Sequence, residues 1–299
     1  MDKVDKIWMD GKLINWDDAK VHVLSHSLHY GSGVFEGIRF YKTDKGPAVF
    51  RLKEHVERLF KSAKVFNMEI PHTKEQIEEA VKETIKVNKT DAGYIRPLVF
   101  YGYGKMGLNP EGADLHVMIA VWPWGSYLGD KAVSVKTSSF IRHHPKAVHT
   151  EAKVCGYYVN SIFASLEAKK EGYDEALMLD YEGNIAEGPG ENLFIIKDGK
   201  IYTPGVGNIL VGITRDSVMD IANHLGYDVV EKTLTLEDLK NADEAFFTGT
   251  AAEVTAIGKL DGKNLGNGDT GQITDKIRTT YLDVVQGKKE KYLDWLSFC

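Results

Sequence analysis

Gly102-Tyr-Gly104-Lys-Met-Gly107-Leu-Asn-Pro110-Glu-Gly112 is the stretch whose reading decides the fold class. Its first six residues satisfy G-x-G-x-x-G and follow a strand-like run, Tyr94 to Tyr101. A dinucleotide site needs a helix opening at those glycines, so that unpaired N–H groups face the pyrophosphate. Leu108-Asn109-Pro110-Glu111-Gly112 cannot supply that helix, so the segment reads as a turn before the next strand, Leu115 to Val121. Working outward, strands again meet strands. Ile7-Trp8-Met9 and Lys12-Leu13-Ile14 flank Asp10-Gly11, a hairpin signal. Val34 to Tyr41 and Ala48 to Leu52 flank a turn with Asp44, Gly46 and Pro47. Two helices are inserted: Leu52, Val56, Leu59, Phe60 and Ala63 recur at helical spacing, and a second helix opens at Thr73 with Gln76 completing a capping box.

Trp122-Pro-Trp124-Gly-Ser126 breaks this pattern. Beyond it come a strand near 132–139, a helix near 156–171, strands at Glu175 to Asp180, Leu193 to Ile196 and Lys200 to Tyr202, and a helix from Thr214 to Gly226. Regular strand–helix alternation is missing, which points to an α+β (mixed α/β) protein of two domains. The expected division is a small α+β domain over 1–122, a loop over 123–130 and a larger domain over 131–299.

Composition narrows the function. In 299 residues, 37 basic side chains face 43 acidic ones, a net charge of −6, which disfavours nucleic acid as the main partner. No apolar run is long enough for a membrane span, and the first residues carry mixed charge rather than a signal-peptide core, so a cytoplasmic, membrane-free protein is expected. Cys155 and Cys299 cannot build a disulfide framework. His22, His26 and His29 sit in what reads as an irregular or extended stretch, H-E-x-x-H is absent, and His143, His144 and His149 read as a polar loop; no metal is expected. Only seven of the basic residues are arginines, the side chain suited to phosphate and carboxylate recognition.

Five segments, in order, carry the chemistry: Tyr30-Gly-Ser-Gly-Val-Phe-Glu-Gly-Ile-Arg39, Tyr94-Ile-Arg-Pro97, Thr150-Glu-Ala-Lys153, Glu187-Gly-Pro-Gly-Glu-Asn-Leu-Phe194, and Gly212-Ile-Thr-Arg215 with Thr248-Gly-Thr-Ala-Ala-Glu253. Together, from about Ile7 to Gly262, they resemble the class IV (fold type IV) pyridoxal-phosphate enzymes, and within them the branched-chain amino acid aminotransferases. The resemblance implies a fold type IV enzyme of two domains with pyridoxal 5'-phosphate at the domain interface. It implies ping-pong transfer of an amino group between L-leucine, L-isoleucine or L-valine and 2-oxoglutarate, with L-glutamate and the 2-oxo acids as the other partners. Lys153 then forms the Schiff base and shuttles the proton between the substrate α-carbon and C4′ of the cofactor. Ala152, Val154, Cys155 and Gly156 are small or apolar, surroundings that suit a nucleophilic lysine.

By the same resemblance Glu187 pairs with the pyridine nitrogen and Tyr158 hydrogen-bonds the phenolate oxygen; Glu191, four residues on, reads as a structural group or one that stands behind the site residues. The phosphate meets Ile213 and Thr214 at a helix N-terminus, the hydroxyls of Thr214 and Thr250, and Arg58. Arg215 reads as a first-turn surface residue. Phe35, Gly37, Trp124 and Tyr158 line an apolar pocket, Arg96, Tyr127 and Tyr30 meet glutamate's distal carboxylate, and Tyr94 with the backbone at Thr250-Ala251 holds the α-carboxylate. Tyr30 and Leu108 reach toward a neighbouring subunit, so a homodimer at least is implied, with dimer and hexamer left open. Cys155, Tyr157, Pro189 and His144-Pro-Lys-Ala-Val-His149 depart from the family pattern without removing a residue the chemistry requires. The competing readings are a D-amino acid or (R)-amine transaminase, an aminodeoxychorismate lyase and, from another class, a nicotinamide-dependent dehydrogenase using the Gly102 segment.

Overall fold

The computed structural model describes residues 2–125, 128–129 and 131–299. It divides into two compact units by contact rather than by chain order. The first comprises Met1–Gly125, Ala152–Tyr157 and Val284–Cys299; the second comprises Ser126–Glu151 and Tyr158–Asp283. Segments 152–157 and 284–299, read from sequence as part of a continuous 131–299 domain, therefore group with the first unit. Backbone hydrogen bonding explains why. Val154 bridges Val34, and the terminal strand Leu296–Phe298 pairs antiparallel with Gly46–Phe50.

The first unit holds an eight-stranded sheet among the described residues. Its order is Leu296–Phe298, Gly46–Phe50, Ile38–Thr43, Gly93–Tyr101, Leu115–Trp122, Lys6–Met9 and Lys12–Asn15, with Gly33–Phe35 also on Gly93–Tyr101. The Asp10-Gly11 hairpin turns through two positive φ angles, 49° and 86°, the twist that suits a two-residue connection between strands. Helices Leu52–Lys64 and Lys74–Val87 bury Leu52, Val56, Leu59, Ile77, Val81 and Ile85 in one core with Ile38, Phe40, Ile95, Val99 and Ile119. Each such side chain contributes about 1.5–3 kcal/mol on burial.

Two expectations change here. Val34 to Tyr41 reads as one strand, yet it is interrupted at Glu36-Gly37. The register on the partner strand runs straight through the break, Phe35 opposite Leu98 and Ile38 opposite Ile95. Glu36 N–H donates to the Pro97 carbonyl at 2.9 Å, and Pro97, having no N–H, cannot return the bond. The segment around His26 is not irregular: His26–Tyr30 forms a helical turn closed by left-handed Gly31. By contrast, Gly102 to Gly112 is a loop that reverses the chain, with Gly102 N–H on the Asp114 carbonyl, and no helix opens there.

The second unit carries nine strands among the described residues. Their order is Ile185–Glu187, Glu175–Leu179, Val133–Thr137, Glu253–Leu260, Glu244–Gly249, Asn192–Lys197, Lys200–Thr203 and Val229–Glu231, with Lys263–Asn264 also on Glu253–Leu260. Val133–Thr137 lies parallel to both its neighbours while most other pairs are antiparallel, so the sheet is mixed. Helix Tyr158–Lys170 packs Ala164 and Ala168 on Ala176 and Met178. Helix Ile213–His224 buries Ser217, Val218, Ile221 and Ala222, and Gly226 follows it at φ 87°. The fold is therefore mixed α+β. No helix among the described residues is long and apolar enough to cross a membrane.

The helix Lys74–Val87 starts on the expected capping box: Gln76 N–H donates to Thr73 Oγ1 at 3.2 Å, and Thr73 N–H donates to Gln76 Oε1 at 2.8 Å. Thr73→Ala should lower unfolding stability by about 1 kcal/mol in urea titrations. A change within about 0.2 kcal/mol would show that packing alone sets this helix start.

Candidate active site

In the first unit Lys153 lies between two buried apolar neighbours, Ala152 and Val154. Its backbone is held at both ends: its N–H donates to Ser62 Oγ at 3.0 Å, and its carbonyl accepts from Phe35 N–H at 3.0 Å. The chain turns tightly at this residue, Val154 N–H donating to the Ala152 carbonyl at 3.2 Å, while Ala152 and Val154 are both buried on either side of Lys153. Its Nζ stands 5.0 Å from the centroid of the Phe35 ring. The segment fits only because two glycines face each other. A Cβ on Gly31 would lie 2.7 Å from the Gly156 Cα, and Gly156 N–H donates to the Gly31 carbonyl. Cys155 is no rival nucleophile: burial pushes its thiol up to about 11, against the nearby Arg96 and Lys153 charges.

Arg58 sits on helix Leu52–Lys64, and the structure gives it a partner that sequence reading did not assign. Glu36, fully buried, takes Arg58 Nε at 2.7 Å and Nη2 at 2.9 Å, and His55 Nδ1 at 2.7 Å. Burial alone would raise the Glu36 carboxyl, but the Arg58 charge and the hydrogen bonds from Arg58 and His55 hold it far below the usual carboxylate range. Burial pushes the His55 imidazole down; the Glu36 contact opposes this, and the Arg58 and Lys153 charges reinforce it. A neutral His55 thus donates to an ionised Glu36, which fixes the plane of the Arg58 guanidinium.

Phe35, Gly37, Tyr94, Arg96 and Trp124 gather in the same unit. A Cβ at Gly37 would fall 1.9 Å from Tyr94 Oη, so only glycine admits the tyrosine there. Tyr94 packs edge-on against Trp124 at 4.4 Å. The Arg96 guanidinium lies over Phe35 at 4.7 Å and Tyr94 at 5.4 Å, with one 3.5 Å hydrogen bond to Tyr94 Oη. Its Nε is buried without a hydrogen-bond partner, and among the described residues Arg96 has no ion pair. Tyr30 and Leu108 are exposed and lie on segments joined through His26, which contacts the Tyr30 ring and the Gly107 carbonyl. His26 Nδ1 meets Ser32 Oγ, so both its nitrogens are engaged within the fold. Tyr127 lies outside the described residues.

The second unit builds around Glu187, buried at the end of strand Ile185–Glu187. Arg142 Nη2 pairs with its Oε1 at 2.8 Å, Asn192 Nδ2 donates to Oε2 at 3.1 Å, and Leu210 N–H approaches both oxygens at 3.3 Å. Arg142 also donates to Ser161 Oγ, on the helix that Tyr158 begins. Glu191 is buried and turns back to accept from Gly190 N–H. Gly212 is the N-cap of helix Ile213–His224 and no side chain caps that end, leaving first-turn N–H groups beside the buried Thr214. Arg215 is not a surface residue: it is buried, donating to the Pro204 carbonyl and Glu231, which pins the first turn. Thr250 and Ala251 form the hairpin between Glu244–Gly249 and Glu253–Leu260, and a Cβ on Gly249 would lie 3.2 Å from the Gly190 carbonyl. Glu36, His55, Ser62, Arg142 and Asn192 were not assigned from sequence. The Arg142 side of the pair could have been sought among the seven arginines, but its partner is 45 residues away.

The depressed Glu36 carboxyl makes stability acid-sensitive. Its contribution is complete above the unfolded carboxyl range and lost as pH falls below it. Glu36→Gln should cost about 3 kcal/mol at pH 7. The gap from wild type should hold down to about pH 5 and narrow from there to pH 3 in thermal melts. A constant gap would show that Glu36 is not ionised in the fold.

The sequence matches the amino-transferase class IV family over residues 33–260. It is 50% identical to the branched-chain-amino-acid aminotransferase of Pseudomonas aeruginosa over 298 residues, 98% of this chain and 97% of that protein. To the enzyme of the same name from Escherichia coli K12 it is 43% identical, over 99% of this chain and 97% of that one. Its structure superposes on the T.th. branched-chain amino acid aminotransferase complexed with N-(5'-phosphopyridoxyl)-L-glutamate with a TM-score of 0.96, at 48% identity and 99% coverage of both chains. The same enzyme complexed with 4-methylvaleric acid gives 0.95 at 47% identity, again with 99% of both chains covered. With the family matched across most of its length and full-length relatives well above a third identical, this chain belongs to the class IV aminotransferases.

Proposed function

We propose that the chain is a pyridoxal 5'-phosphate-dependent branched-chain aminotransferase that moves an amino group between L-leucine, L-isoleucine or L-valine and 2-oxoglutarate. The observation that carries this reading is that one aromatic ring bears both an amine and a guanidinium: Lys153 Nζ is 5.0 Å and Arg96 Cζ 4.7 Å from the Phe35 centroid. An aliphatic side chain can pack on the aromatic surface, and a carboxylate can meet Arg96, which has no acidic partner of its own among the described residues. Relatives complexed with a glutamate adduct and with 4-methylvaleric acid support such double recognition.

Each unit by itself carries groups whose chemistry suits the cofactor. The second unit offers an uncapped helix N-terminus at Gly212, the buried hydroxyl-bearing Thr214, the Thr250 hairpin and the Glu187 carboxylate; the first offers Lys153 and the Arg58 guanidinium. When bound, pyridoxal phosphate supplies a carbonyl that condenses with amines and a ring that withdraws electrons from a carbanion. Lys153 would hold it covalently and, as a free amine, would carry a proton on Nζ between the substrate α-carbon and C4′. Glu187, met by Arg142, Asn192 and Leu210 N–H, would pair with the pyridine nitrogen and keep it protonated, and Tyr158 would donate to the phenolate oxygen. Ile213, Thr214, Thr250 and Arg58 meet the phosphate. Tyr94 and the Thr250-Ala251 backbone hold the substrate α-carboxylate; Phe35, Gly37, Trp124 and Tyr158 receive the aliphatic side chain; Arg96, with Tyr127 and Tyr30, receives the distal carboxylate of glutamate.

A homodimer at least belongs to the same reading. Val21, Val23, Leu24, Leu28, Tyr103, Met106 and Leu108 are exposed, and the His22–Tyr103 ring contact and the His26–Gly107 bond gather their segments into one apolar patch. Such a patch suits a second copy, with Tyr30 and Leu108 offered to it. Two free cysteines suit a reducing compartment and hence the cytoplasm.

Borohydride reduction of the holoenzyme and peptide mapping should place the phosphopyridoxyl group on Lys153, and Lys153→Ala should lose it with nearly all turnover. A label on another lysine would overturn the assignment. Stopped-flow spectra should show conversion to the pyridoxamine form with L-leucine and L-glutamate; conversion only with D-alanine or (R)-1-phenylethylamine would favour the D-amino acid or (R)-amine reading. Arg96→Met should lower kcat/KM for L-glutamate about 100-fold while leaving that for L-leucine within about threefold, because only the carboxylate loses its partner. Equal losses for both would remove Arg96 from specificity.

A further inference from the structure

Asn192 opens strand Asn192–Lys197, opposite Thr248, and its side chain is buried. Its Nδ2 donates twice: to Glu187 Oε2 at 3.1 Å and to the Leu210 carbonyl at 2.9 Å. Both neighbours accept only, so the amide has one orientation that satisfies them. Its Oδ1 faces the other way, onto Gly212. A Cβ built on Gly212 would fall 2.0 Å from that oxygen, far inside any permitted contact. Leu210 also returns a contact, its N–H approaching the Glu187 carboxylate. One amide thus touches the buried carboxylate, the residue that leads into helix Ile213–His224, and the N-cap of that helix.

We infer that Asn192 is a positioning residue that sets the spacing between the Glu187 carboxylate and the uncapped N-terminus of helix Ile213–His224. This rests on the functional reading above, in which those two groups hold opposite ends of one rigid molecule. A pyridine ring and its phosphate ester have a nearly fixed reach. Two anchors that drift independently cannot both meet it without losing part of their binding energy. The double donation and the contact on Gly212 make the two anchors move together. Glycine at 212 follows from the same constraint, since its backbone angles are open to any residue, φ −73° and ψ 134°. The Asn192 oxygen excludes the methyl group; the backbone conformation does not.

The test uses protein reconstituted with pyridoxal 5'-phosphate, with the cofactor Kd read from visible absorbance and apoprotein stability from thermal melts. Asn192→Ala should raise Kd at least tenfold in protein whose apo form still melts cooperatively, at a lower Tm. Gly212→Ala should raise Kd at least tenfold alone but less than threefold in the Asn192→Ala background, because the colliding oxygen is gone. Asn192→Asp gives a readout that a merely structural role would not move. At pH 5.5 the introduced carboxyl shares a proton with Glu187 and still donates to it. As pH rises to 8.5 both ionise, with Arg142 the facing cation, and the Kd ratio to wild type should climb steadily.

A Kd within twofold of wild type for Asn192→Ala overturns the inference, as do additive effects of the two substitutions or a pH-independent ratio for Asn192→Asp. Should Asn192→Ala not fold, the pH series on Asn192→Asp and the Kd of Gly212→Ala decide the question. Wild-type protein that takes up no pyridoxal phosphate overturns the functional reading and this inference with it. Wild type that binds normally alongside an equally tight Asn192→Ala overturns the inference alone.

Discussion

A carboxylate removed from water keeps its charge only where donors crowd around it. Each unit is organised about one such group. In the first, Glu36 is met by the Nε and Nη2 donors on one edge of the Arg58 guanidinium and by His55, so that an interrupted strand, a helix and the Ser62 contact on Lys153 form one assembly. In the second, Glu187 is met by Arg142, Asn192 and the Leu210 N–H. Such groups are expensive to bury and specific in what they demand of their neighbours. The surrounding backbone is bent to supply them: the strand pauses opposite Pro97, and the chain before helix Ile213–His224 runs beside the carboxylate.

The same economy of position governs the aromatic part of the first unit. Gly37 is required because the Tyr94 hydroxyl occupies the place of its side chain, and Tyr94 in turn is set by Trp124. Arg96 lies over the rings of Phe35 and Tyr94. A guanidinium on ring faces is partly compensated by cation–π attraction, which leaves its hydrogen-bonding capacity for a ligand. That arrangement sets an apolar aromatic surface beside a guanidinium with no acidic partner among the described residues, so one place offers both apolar contact and positive charge.

Several features were legible in the sequence because they are local. The Asp10-Gly11 hairpin, the Thr73–Gln76 capping box and the failure of Gly102 to Gly107 to open a helix each depend on a few adjacent residues. The resemblance singled out Lys153 and Glu187, and the helix start it placed after Gly212 is present, since motif order survives in a linear string. Glu36 was quoted within its motif and yet given no role. Its partners, His55 and Arg58, lie 19 and 22 residues away on a helix whose docking no local pattern specifies. Arg215 looked exposed because its place in a first helical turn is usually wet; here strand Lys200–Thr203 and Glu231 close over it.

Sequence alone determined the Asp10-Gly11 hairpin, the helices that open at Leu52 and after Thr73, and the order of the chemical motifs, all of which are set by spacing along the chain. Tertiary structure decided which unit each segment joins, since Lys153 and the terminal strand find their hydrogen-bond partners in the first sheet. It also decided which charges are paired. Arg58 and Arg142 are held by buried carboxylates while Arg96 has no acidic partner among the described residues, and pairing depends on distance in space and on the absence of water.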